Sequence, residues 1–84
     1  MKPAGDTNEA ALADEERRLR RLRLLVDLSC TVIRSHPITR TEAQQVVEHA
    51  RRKALSLFPD KGDTFDLIYR PRFRRLIESR FGRE

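Results

Sequence analysis

With 84 residues, of which 37% are charged and only one is cysteine, the chain has room for a single domain and cannot form an internal disulfide. Its +5 balance is unevenly spread: five of the thirteen acidic residues fall in the first sixteen positions. All basic residues except Lys2 come from Arg17 onward, where they exceed the acidic ones by nine, and fifteen of the eighteen are Arg.

The segment from Met1 to Leu12 is mostly polar or turn-forming (Lys2, Pro3, Gly5, Asp6, Thr7, Asn8, Glu9) and offers little apolar area to offset the entropy of ordering it. This predicts a disordered, flexible tail over residues 1–13 and a single helical domain over 14–84. Acidic and polar residues stand where a signal peptide would have its apolar stretch, so the expected compartment is the cytoplasm. About seventy folding residues enclose only a small core, which usually needs a supplement. Cys30, His36 and His49 lack zinc-site spacing, so self-association or a partner is the expected supplement.

The first helix is expected to start near Asp14, with Asp14, Glu15 and Glu16 at the positive end of the helix dipole. Leu19, Leu22, Leu25, Val26 and Ile33 recur at helical spacing, and Leu24, Leu28, Cys30 and Val32 widen that stripe. A helix apolar over most of its circumference packs on two sides. One side suits the other two helices and the second suits another chain. Val26, Leu28, Cys30 and Val32 also alternate with polar residues as a strand would, but no partner strand can be read elsewhere, and helix is the better reading.

His36-Pro37 ends this helix. Thr39-Arg40-Thr41-Glu42 spells a capping box for the second, with Ile38 placed to staple onto Ala43. Ala43, Val46, Val47, Ala50, Ala54, Leu57 and Phe58 form its apolar stripe, and Pro59-Asp60-Lys61-Gly62 closes it. The third helix begins at a Gly62 or Asp63 cap and carries Phe65, Ile68 and Tyr69. Pro71 predicts a kink or break near Arg70, after which Phe73, Leu76, Ile77 and Phe81 form a buried face that ends at Gly82. The fold class is therefore all-α: a small three-helix domain with a proline-kinked third helix and a flexible N-terminal tail.

Catalytic chemistry is not spelled out. There is no nucleophile elbow, HExxH motif or glycine-rich phosphate loop. His36 reads as a helix-end residue, His49 as a boundary residue, and Cys30 as a small core hydrophobe. No enzyme activity, metal or cofactor is expected. The first functional expectation is a non-enzymatic interaction module that self-associates or docks a protein partner through Leu24, Leu28 and Val32 on the first helix. The alternative is a nucleic-acid-binding domain. Its candidate contacts are Arg17, Arg20, Arg21, Arg52, Arg70, Arg72, Arg74 and Arg75, directed at the phosphate backbone because few neighbouring side chains can read base edges. Glu15, Glu16, Asp66 and Glu78 stand close enough in sequence to neutralise several of these arginines. A basic amphipathic helix also suits an anionic membrane, but so small a domain can scarcely spare its most apolar helix.

Overall fold

The computed structural model describes residues 3–83, with side chains from Glu9 onward, as three helices: α1 (Pro3–Ser35), α2 (Arg40–Leu57) and α3 (Gly62–Phe81). Two short connections, 36–39 and 58–61, turn the chain back on itself. The helices run up, down and up, each packed against the other two.

Of the segment expected as a tail, Met1 and Lys2 lie outside the described residues. From Pro3 onward the backbone is helical, so α1 begins at Pro3 instead of Asp14. Two local features favour this. Proline suits the first helical position, where its missing N–H would have no partner. The run Ala10-Ala11-Leu12-Ala13 then consists of the strongest helix formers. The resulting helix is about 50 Å long at 1.5 Å per residue. Its first third projects past the bundle: Glu9 to Leu12 are exposed, and the molecule measures 60 × 22 × 17 Å.

α2 starts as its sequence predicts. The Thr39 hydroxyl accepts from the Glu42 N–H at 3.1 Å, and the Glu42 carboxylate accepts from the Thr39 N–H at 2.8 Å. Ile38 is partly buried against the core, to which the fully buried Ala43 belongs. α3 departs from expectation at its start, after Lys61 with no side-chain cap, and it continues as one helix through Pro71, so of the kink or break read there the break does not occur. Pro71 removes the donor that would have met the Leu67 carbonyl. Leu67 is the most exposed of the large apolar residues, so this turn of α3 lies on the side away from the bundle. Gly82 closes α3 in the left-handed region (φ 85°), donating its N–H to the Glu78 carbonyl at 2.8 Å.

The core joins Val26, Cys30 and Ile33 of α1, Ala43, Val47, Ala50 and Ala54 of α2, and Phe65, Phe73 and Ile77 of α3. Alanines on α2 let the large rings of α3 come close. Phe65 stands between Tyr69 and Phe73, at centroid distances of 5.5 and 6.2 Å. Each buried ring contributes roughly 1.5–3 kcal/mol by leaving water. Two arginines serve the helix ends. Arg80 donates to the Ile33 carbonyl in the last turn of α1 at 2.8 Å. Arg40 donates to the carbonyls of Phe81 and Gly82 at the end of α3. Both satisfy oxygens that have no partner within their own helix, at the end where the dipole favours a cation.

Candidate interaction surface

The buried positions of α1 (Val26, Ser29, Cys30 and Ile33) lie along one stripe at three- and four-residue spacing. Leu24 and Leu28, one turn apart, point away from it and are 59% and 57% exposed. The reason is geometric. Two helices cover only one side of a third, and the widened apolar arc of α1 extends past what α2 and α3 reach.

Val32 sits differently from the two leucines it was grouped with. It is half-buried and lines a shallow groove of about 410 Å³ where α1 meets α2. Leu25, Leu28, Ser29 and Val32 form one wall, and Gln45, Val46 and His49 form the other. Leu28 therefore belongs both to the bare outer face and to the groove, making them one continuous apolar surface. The α2 wall was not legible in the sequence, because Val46 reads there as part of the core stripe. A second apolar cleft of about 220 Å³ lies among Leu19, Leu22, Phe58, Ile68 and Tyr69, at the end of the bundle from which α1 projects. Arg18 stands over the Phe58 ring on this side, 5.5 Å from its centroid.

The arginines divide into engaged and bare. Arg17 pairs with Asp14, and Arg18 with Glu15 at 2.9 Å, both at i,i+3 spacing along the projecting helix. Between α2 and α3, Arg51 holds Asp66 through two nitrogens at 2.8 and 3.1 Å. Arg70 bridges Asp66 at 3.1 Å and Glu48 at 2.7 Å. The Arg51 guanidinium, helped by Arg70, holds the Asp66 carboxyl below its ordinary range, and Arg70 does the same for Glu48. Arg70 was expected to be a nucleic-acid contact, but here it ties two helices together.

The other candidate contacts (Arg20, Arg21, Arg52, Arg72, Arg74 and Arg75) are exposed and have no ion-pair partner among the described residues. They do not form one patch. At 100° per residue, Arg72 and Arg74 project about 200° apart around α3. Arg74 lines a groove of about 750 Å³ between α2 and α3, along with Arg40, Arg70 and Arg83, whereas Arg72 lies toward α1, near enough to act on Cys30. On α1, Arg17, Arg20 and Arg21 share the outer face with Leu24 and Leu28, at separations of four and seven residues.

Cys30 is 2% exposed, and burial pushes its thiol above the usual range, which suits a packing residue better than a nucleophile. No grouping of three or more His, Cys, Asp or Glu side chains suited to a metal occurs among the described residues. Among the described residues no helix is long and apolar enough to cross a membrane. Comparison with known protein families, with curated proteins and with solved structures gives no significant match.

Proposed function

We propose that this chain is a non-enzymatic helical interaction module, working in a reducing compartment such as the cytoplasm, that docks a partner through the outer face of α1. The observation that carries the reading is the paired exposure of Leu24 and Leu28 beside the apolar groove of Leu25, Val32 and Val46. Isolated exposed leucines are ordinary, but a contiguous apolar surface rimmed by polar side chains is the usual mark of a contact site. Gln45 and His49 supply such a rim here.

A photo-reactive amino acid placed at position 28, in cells, tests this. Adducts with a protein, whether another chain or a second copy, are expected from position 28 and not from position 67. Leu67 is the more exposed of the two at 78%, but it lines none of the grooves described above. Equal labelling from both positions, or none from position 28, refutes the reading.

A second reading, binding to the nucleic-acid backbone, is supported by six candidate arginines that have no carboxylate partner among the described residues. Their scatter over three helices weighs against it. The two readings separate on salt. Docking through apolar side chains persists at about 0.5 M salt, whereas phosphate contacts are lost there. Reversing Arg74 and Arg75 to Glu weakens only the second.

A further inference from the structure

We infer that the occupant of the α1 outer face is the α1 helix of a second copy of this chain, laid antiparallel; this rests on the docking reading above and names its partner. The first ground is charge. Residues 3–16 of α1 hold five acidic side chains and no basic one, and residues 17–23 hold five arginines and no acidic one. α1 is thus a helix of two opposite halves, and two copies running in opposite directions bring Asp14 to Glu16 of each, where the acidic half ends, against Arg21 and Arg23 of the other. The second ground is that both halves are free to meet. The acidic half projects past the bundle with Glu9 to Leu12 exposed, and the outer face of the basic half is covered by neither α2 nor α3.

The third ground is the fit of side chains. Ala10, Ala13, Leu24 and Leu28 share one face of α1, because separations of eleven and eighteen residues are close to whole helical turns. An antiparallel overlap with Ala13 opposite Leu24 sets small residues against large ones, as close helix packing requires. In this register Asp14 and Arg21 share one edge of the contact and Glu16 and Arg23 the other, each pair about 3 Å from level along the axis. Each pair occurs twice by the two-fold symmetry. Arg17 and Arg20 then meet near the centre, and Asp14 of the same chain already neutralises Arg17.

The experiment is a charge swap on the full chain. One variant carries Asp14→Arg and Glu16→Arg, and the other carries Arg21→Glu and Arg23→Glu. In sedimentation equilibrium at roughly 0.1 mM, where a dimer with micromolar Kd is formed, the unmodified chain is expected to have the mass of two copies. Each variant alone is expected to dissociate about tenfold more readily, because four exposed pairs turn from attraction to repulsion. An equimolar mixture is expected to regain the dimer, because the swapped halves match each other again.

A chain that stays monomeric at this concentration overturns the inference. If position 28 still cross-links to a different protein, the docking face stands without it. A dimer that neither variant weakens, or that the mixture does not restore, also overturns the antiparallel pairing. Should a variant fail to fold by circular dichroism, cross-linking decides instead. In a Cys30→Ala background, Ala13→Cys and Leu24→Cys chains mixed together are expected to be joined by a short bismaleimide, and two Leu24→Cys chains are not.

Discussion

The seam between α2 and α3 and the outer face of α1 draw on the same residue types and use them in opposite ways. In the seam, three arginines find oxygens on the neighbouring helix: Arg51 and Arg70 reach Asp66 and Glu48, and Arg40 reaches the last carbonyls of α3. On α1, Arg20 and Arg21 find none and stand beside two leucines that no neighbour covers. An arginine-rich composition is therefore not one property of this chain. Part of the surplus is internal fastening, and part is surface left for something else. The same contrast divides α1 along its length, with one stripe spent on the core and the other bare.

The largest effect that can test this contrast comes from the core stripe. Ile33→Ala, at a position with no exposure at all, is expected to cost about 2–5 kcal/mol in urea denaturation, from lost burial and the cavity left behind. In a domain this small, that is a large share of the total stability. A cost under about 1 kcal/mol would mean that α1 is not anchored by this stripe. Next in size is Thr39→Ala, which removes the acceptor for the Glu42 N–H and is expected to cost about 1 kcal/mol, with the cost concentrated in the first turn of α2.

The seam itself is read by pH. Asp66 and Glu48 are held below their ordinary values in the folded chain, so on acidification the unfolded chain takes up protons first. Stability from these two carboxylates is complete above the usual carboxylate range of about pH 4, and is lost as the pH falls through their lower folded values. The double variant Asp66→Asn, Glu48→Gln is expected to be less stable at neutral pH and to lose less on acidification. Both side chains are partly exposed, so the effect is modest and shrinks with salt. Identical acid profiles for the two proteins would show that the seam pairs contribute nothing.

What the sequence revealed and what it hid follow one physical division. Features set within a few residues were legible: the Thr39–Glu42 box, the Gly82 stop and the alternation of apolar stripe and polar face along α2. The start of α1 was not, because Gly5, Asp6, Thr7 and Asn8 weigh against helix locally while Pro3 and the alanine run weigh for it. Pro71 allowed either a kink or a break, and only the placed helix shows that the chain continues through it. Whatever depends on two helices meeting was out of reach. Arg70 with Glu48, and Val46 with His49 opposite Leu28, are neighbours only once α2 is placed. The outer face of α1 was half legible. Leu24 and Leu28 stood out as apolar residues off the main stripe, but Val32 differs from them by lying in the groove.

The smallest effect on stability is the most informative about the outer face. Leu28→Ser removes an apolar side chain that is more than half exposed, and the isolated chain loses little contact by it. The expected change in unfolding free energy, measured in dilute solution where a weak dimer has separated, is within about 0.5 kcal/mol. Measured at high concentration, the same substitution is expected to cost more, because the partner's contribution is then part of what is lost. It is this concentration dependence, absent for Ile33→Ala beyond the loss common to both conditions, that separates a docking residue from a core residue on the same helix. A Leu28→Ser penalty of 2 kcal/mol or more in the dilute monomer would mean that this leucine packs against its own chain, and the contrast between the two faces of α1 would disappear.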